Sequence, residues 1–275
     1  MSYATLMVHL ELGRSNAELL QVTLNLAQRF RSGVVGIAAC QPMQLVYGDG
    51  YVYGELIEEN RLEIAKEMAQ AEAEFRSVLQ SQAPWVEWRS TTGYVSLSDY
   101  LASEARSADL FITSVAKSEL FDPSRTVDTG DLIMQIGRPV LVVPPSAEQA
   151  QLNRVVIGWK DTRETRRAVY DALPLLKHAT DVRVVELAAQ SDLADARARL
   201  ADVVAWLHRH GVVAESLAPL ATGDDAAQLS AIAWEYEADL VVAGAYGHSR
   251  LREWALGGVT RSLLLQTGRC ALVSH

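Results

Sequence analysis

Two segments of this chain are written twice. Ser107-Ala-Asp-Leu-Phe-Ile-Thr113 returns as Glu237-Ala-Asp-Leu-Val-Val-Ala243, at an offset of 130 residues. Gly137-Arg-Pro-Val-Leu-Val-Val143 returns as Gly268-Arg-Cys-Ala-Leu-Val-Ser274, at an offset of 131. The opening apolar runs, Leu6-Met-Val-His-Leu10 and Val155-Val-Ile-Gly-Trp159, stand 149 residues apart. A repeat of this length constrains the fold more than any single motif, because each copy must build the same unit. The larger first offset gives the first copy about twenty extra residues early on, and 41–53, with its Tyr47-Gly-Asp-Gly-Tyr-Val-Tyr53, is the candidate insertion. Pro144-Pro-Ser-Ala-Glu-Gln-Ala-Gln-Leu-Asn153 is the seam, where proline and polar residues stop regular structure. The expectation is two domains, 1–145 with an insertion near 41–56, and 152–275. It agrees with a length of 275 residues at roughly 150 per domain.

Within each copy, short β-branched runs alternate with helical patterns. The first copy predicts strands near 5–10, 34–40, 86–90, 109–114 and 139–143, and helices near 15–31, 56–81, 96–107 and 130–136. The second predicts strands near 154–159, 182–187, 212–217, 239–243 and 270–274, and helices near 162–177, 191–210, 224–236 and 258–267. Leu141-Val-Val143 and Leu240-Val-Val-Ala243 are apolar at successive positions, as strands buried on both faces require. Such alternation implies an α/β fold in which right-handed crossovers wind a parallel sheet with helices on both faces. Each copy is then a five-stranded parallel-sheet domain. A ligand site in either would lie beyond the carboxyl ends of the strands, where strand order reverses.

The fourth strand of the second copy ends in Gly244-Ala-Tyr-Gly247; nine residues, His248 to Leu256, separate it from Gly257-Gly-Val-Thr260, which opens the last helix. Glycines there let backbone N–H groups approach a ligand with no Cβ in the way. Successive N–H groups make an anion nest, and the next helix adds its positive end. The spacing alone fits two readings equally, a phosphate loop or two ordinary turns around a surface loop. Gly244-x2-Gly247-x9-Gly257, with Gly-Ala-Tyr-Gly-His-Ser-Arg and Gly-Gly-Val-Thr-Arg around it, resembles the glycine signature of the nucleotide-binding universal stress proteins. In that family the last glycine is usually followed by Ser or Thr. The resemblance covers nearly the whole chain, since both copies carry the strand–helix order and the closing apolar strand.

The resemblance implies a tandem universal stress protein with a Rossmann-like, adenine nucleotide alpha hydrolase-like fold. It further implies association through the last strand and, in some members, binding of ATP. Carried over residue by residue, it gives a phosphate path of Gly244, Gly247, Gly257, Gly258, Val259 and Thr260. Ala243, His248 and Arg250 stand beside that path, and Gly158, Trp159 and Lys160 close the first strand of the second copy. Two positions depart from the family pattern. Gly258 stands where Ser or Thr is usual, with Thr260 two positions on. Lys160 stands where an aspartate contacts ribose, with Asp161 one step later. Lysine cannot accept a hydrogen bond from a ribose hydroxyl, although it attracts phosphate. In the first copy no glycine follows the fourth strand, and Asp128 and Asp131 crowd the start of the last helix, where they suit capping and repel phosphate. That copy reads as a structural partner, although Glu11 keeps the acidic first-strand position.

The remaining features narrow the function. The net charge of −9, from 34 acids against 25 bases, disfavours nucleic acid and anionic membrane as partners. No apolar run approaches the ~20 residues of a membrane span, and the start of the chain lacks a basic n-region, so the expected location is the cytoplasm. Cys40 and Cys270 are too few for a disulfide framework or a zinc cage and read as small buried hydrophobes. His208 and His210 point to different helix faces, which excludes a metal pair. Arg250, Arg252 and Arg261 either neutralise phosphate or belong to a solvated loop. Trp159 either stacks on a base or lies at the rim of the core. No Walker loop is present, and only Asp161, Asp224 and Asp225 are available for slow ATP hydrolysis or for magnesium. The leading expectation is a non-catalytic stress-response protein holding ATP or ADP in the second domain. The alternative is an interaction scaffold that needs no nucleotide. The last strands, 139–143 and 270–274, are expected to join the copies within the chain, with a homodimer as a further option.

Overall fold

A computed structural model of the chain describes residues 2–43, 54–114, 122, 124–145, 151–245 and 268–275. The first half comprises β1 (Thr5–His9), α1 (Ala17–Phe30), β2 (Gly33–Cys40), α2 (Gly54–Leu79), β3 (Val86–Thr92), α3 (Leu97–Glu104), β4 (Leu110–Ser114), α4 (Thr129–Ile136) and β5 (Val140–Val143). The second half comprises β6 (Arg154–Gly158), α5 (Arg163–Leu176), β7 (Asp181–Val185), α6 (Leu193–Arg209), β8 (Glu215–Leu217), α7 (Asp225–Glu235), β9 (Leu240–Gly244) and β10 (Cys270–Ser274). The expected strands and helices lie where the patterns place them, with one shortening. Of 212–217, only Glu215–Leu217 pairs. Among the described residues it is the last strand of its sheet, and it is exposed along its length. The helix expected at 258–267 and the Tyr47–Tyr53 insertion lie outside the described residues.

The strands form one sheet in the order β3-β2-β1-β4-β5-β10-β9-β6-β7-β8. Each half is a five-stranded parallel sheet, and the halves meet where β5 runs antiparallel to β10, with Leu141 opposite Leu272 and Val142 opposite Ala271. This pairing buries both apolar strands on both faces. An antiparallel join relates the halves by a two-fold axis through the sheet. Equivalent helices therefore cover the same face, and the carboxyl ends of the two sets of strands point to opposite edges.

The packing obeys that symmetry. On one face α1, α2, α5 and α6 contribute Leu20, Phe75, Leu173 and Leu200 to a single core that runs through both halves. Tyr3 and Phe30 pack edge to face within the first half, and Phe30 and His178 do so across the seam. On the other face α3 and α4 cover β1, β4 and β5, and this layer continues onto Ala271 and Val273 of β10. α7 covers β6 and β9 through Leu229 and Ala233. Polar ties pin the seam: Tyr3 donates its hydroxyl to the Asp171 carbonyl at 2.6 Å, Ser274 donates to the Asp171 carboxylate at 2.9 Å, and Arg167 donates to the Gly137 carbonyl at 2.9 Å.

The repeated segments have structural reasons. Asp109 accepts the backbone N–H groups of Ala4 and Thr5, and Asp239 those of Asn153 and Arg154, all at 2.8–3.0 Å. Each aspartate thus clamps the start of the neighbouring first strand, whose amides would otherwise lack partners. Gly137 and Gly268 both have φ of +60°, the left-handed conformation that glycine adopts at least cost; Gly137 uses it to end α4. Both cysteines are buried, and burial raises both thiols, Cys270 to about 12, so they remain protonated hydrophobes.

Candidate functional site

In each half, strand order reverses between the first and fourth strands, which in the second half are β6 and β9. Gly158 pairs with Ala243 there, so the structure brings Gly158, Trp159 and Lys160 beside Ala243 and Gly244 at one sheet edge. Lys160 is exposed, and its carbonyl accepts the Thr162 amide in a tight turn at 2.6 Å. Thr162 then caps α5 by accepting from the Thr165 amide at 3.3 Å. Gly247, His248, Arg250, Gly257, Gly258, Val259 and Thr260 lie outside the described residues, as do Arg252 and Arg261.

The two described glycines owe their identity to the fold. Neither has a positive φ. A Cβ on Gly244 would lie 2.7 Å from the Glu164 carbonyl carbon and closer still to the Thr165 nitrogen. The close approach expected for a ligand is, at this glycine, made by the backbone of α5. A Cβ on Gly158 would lie 2.7 Å from Leu229 Cδ2. Both glycines let helices settle onto the strand ends, one on each face.

Charge at this edge is tightly engaged. Glu164, only 5% exposed, sits in the first turn of α5 and pairs with Arg163. Burial opposes its ionisation, but hydrogen bonds from Arg163, its own backbone amide and Thr162 hold its carboxyl below the usual range. A carboxylate thus already occupies the positive end of α5. Asp161 pairs with Arg166 at 2.9 Å, and Asp224 caps α7 through the Ala227 amide at 2.9 Å. Among the described residues no group of three or more His, Cys, Asp or Glu is placed to hold a metal.

Sequence reasoning missed Glu186, which follows β7. It is 7% exposed, and its Oε1 accepts from Arg199 Nε at 3.1 Å and Nη2 at 2.6 Å. An acid directly after the apolar run Val184-Val185, at the carboxyl end of an inner strand, was the available signal. Trp159 is half-buried against the core, with its indole N–H enclosed and unpartnered. A half-buried indole thus stands beside an exposed lysine and a buried acid at the ends of β6 and β7.

The first-half edge is built differently. His9 Nδ1 lies 3.1 Å from Thr113 Oγ1, and Ser114 donates to Glu11 Oε1 at 2.9 Å, so side chains bridge β1 and β4. Burial pushes the His9 imidazole down to about 4, which keeps it neutral. Glu11 also pairs with Arg14 at 3.4 Å. Asp128 caps α4 by accepting from the Asp131 amide at 3.0 Å.

No protein-family model matches the chain, and no curated protein matches it. Solved structures do. A universal stress protein from Archaeoglobus fulgidus DSM 4304 superposes with a TM-score of 0.73 at 11% identity, covering 98% of both chains. A putative universal stress protein from Pseudomonas aeruginosa UCBPP-PA14 gives 0.63 at 16% identity, covering 99% of this chain and 93% of that one. A functionally unknown protein from Pseudomonas aeruginosa PAO1 gives 0.62 at 14%, covering 99% and 92%. Two parallel five-stranded units in one chain, superposing end to end on such structures, have the tandem universal stress protein fold.

Proposed function

We propose that the chain is a universal stress protein that works by binding, and that it takes one adenine nucleotide, ATP or ADP, at the carboxyl ends of β6 and β9. One observation carries this reading: Gly158–Lys160 and Ala243–Gly244 share the edge where strand order reverses, and the glycine-spaced stretch 244–260 departs from it. The phosphates run toward 247–260, and Lys160 supplies charge in an acidic protein. Magnesium travels with the nucleotide, because Asp161 is paired and Asp224 is a cap. The domains are 1–145 and 152–275, and the first is the structural partner, its equivalent edge being tied by His9–Thr113 and Glu11–Ser114. Equilibrium dialysis with labelled ATP tests this. One nucleotide per chain is expected, with binding lost in Gly247→Val. Saturable binding that survives that change removes the site assignment.

A scaffold that needs no nucleotide is the second reading, favoured by the Glu164 carboxylate in the first turn of α5 and by lysine at position 160. Mass spectrometry of freshly purified protein separates the two. Stoichiometric ATP or ADP excludes the scaffold, and its absence together with failed dialysis supports it.

A further inference from the structure

At the amino ends of β9 and β10 an open cleft of about 460 Å³ is lined by Trp234, Glu235, Glu237, Ala238 and Arg269. That is the size of a small-molecule site. Helix α7 turns Ala226, Leu229 and Ala233 into the core, and Trp234, the next residue, stands 71% exposed. Arg269 lies over the Trp234 ring, its guanidinium carbon 4.8 Å from the centroid. Its Nε also donates to the Ala238 carbonyl at 2.6 Å. The two contacts set a planar cation against a planar indole and leave most of the ring open.

A single exposed tryptophan is ordinary, but this one is fixed in place and faces a cleft. Arg269 is unusual too. In a chain with 34 acids and 25 bases, this half-buried guanidinium pairs with no carboxylate among the described residues. Burial lowers its pKa. Arg138, its counterpart in the repeat, likewise donates to a backbone carbonyl, that of Arg106, but lies over no ring among the described residues. The stacked tryptophan is therefore not something the repeated fold requires. Two carboxylates complete the cleft. Glu237 is engaged by Arg154, whereas Glu235 is exposed and has no ion pair among the described residues.

We propose that this cleft binds an aromatic α-amino acid. The ligand carboxylate accepts from the terminal nitrogens of Arg269, its ammonium group donates to Glu235, and its ring packs on Trp234. A simple anion is repelled by the two glutamates and a simple cation by Arg269; a zwitterion suits both. The site lies at the amino ends of its strands, on the edge opposite the carboxyl ends of β6 and β9, and stands independently of the nucleotide reading.

The test is calorimetric titration of the full chain with L-phenylalanine, L-phenylalaninamide, 3-phenylpropionate and L-alanine. Saturable binding of L-phenylalanine is expected. The amide, which lacks the carboxylate, and phenylpropionate, which lacks the amine, should each bind about tenfold more weakly, the effect of one hydrogen bond to a charged group. Alanine should give no saturable heat. Trp234→Ala, at an exposed position that folding does not need, should weaken L-phenylalanine about fivefold. Glu235→Gln should bring L-phenylalanine down to the level of phenylpropionate and leave phenylpropionate itself no weaker. Arg269 also holds the Ala238 carbonyl, so the amide, rather than a variant of that arginine, reports on the carboxylate contact. The proposal is overturned by the absence of saturable heat with L-phenylalanine, by equal affinity for the amide, or by unchanged binding in Trp234→Ala.

Discussion

The carboxyl ends of β1 and β4 and those of β6 and β9 occupy the same point of the same strand order, yet they are finished in opposite ways. The repeat aligns His9 with Gly158, Glu11 with Lys160, Thr113 with Ala243 and Ser114 with Gly244. In the first half these positions form two side-chain bridges from strand to strand. Each equivalent residue in the second half has either no side chain, a methyl group or the opposite charge. The backbone is shared, so four side chains decide whether the edge is tied shut by the protein or left to something else. Backbone geometry sets where a site can be, and side chains set whether it exists.

The comparison breaks most visibly at Gly244. Gly244→Val forces a side chain into the backbone of Glu164 and Thr165, which cannot give way as a flexible side-chain end would. A loss of about 3 kcal/mol or more is expected in urea unfolding, the upper range for overpacking. A variant as stable as the wild type would show that α5 is not seated on this glycine.

Acid should separate the halves next. Unfolded His9 protonates near 6.5 and folded His9 only near 4, so the unfolded state binds the extra proton between these values. Stability is therefore full above about pH 6.5, declines as pH falls and levels off below about 4, with a total loss of about 3 kcal/mol. Gly158 at the matching position has nothing to titrate. Unfolding at pH 7 and pH 4.5 should show a slope that His9→Leu flattens; an unchanged slope in that variant would assign it to other groups.

A smaller effect belongs to the Ser114–Glu11 bridge. Ser114→Ala should cost about 1 kcal/mol, the contribution of one hydrogen bond to a partly buried carboxylate, and should leave the number of ATP molecules bound per chain unchanged. A rise in that number would mean that the bridge alone closes the first edge. The smallest change is expected at Arg166. Its pair with Asp161 is exposed on both sides, so Arg166→Ala should shift stability by less than about 0.5 kcal/mol.

The strands were readable because most are buried on both faces and therefore apolar at successive positions, as in Val140–Val143 and Leu240–Gly244. Helix starts were readable where a capping residue marked them, at Asp128, Thr162 and Asp224. Glu186 escaped because its significance lies in an enclosed oxygen, and burial at a strand end depends on how the following helix, α6, packs back onto the sheet. Gly244 was legible as a place of close approach, and the structure shows one such approach. Glycine announces that something comes close without saying what, and here the visitor is the first turn of α5.

By itself the sequence determined that one unit is built twice, that each is a wound parallel sheet, and that only the second keeps the glycine spacing. These follow from periodicity and local backbone preference, which are properties of neighbouring residues. Tertiary structure alone decided that β5 and β10 meet antiparallel, that one core runs under both halves, and that Trp159 and Glu186 come side by side with unsatisfied atoms. Pairing sense and burial arise between segments distant along the chain, and no local pattern encodes them.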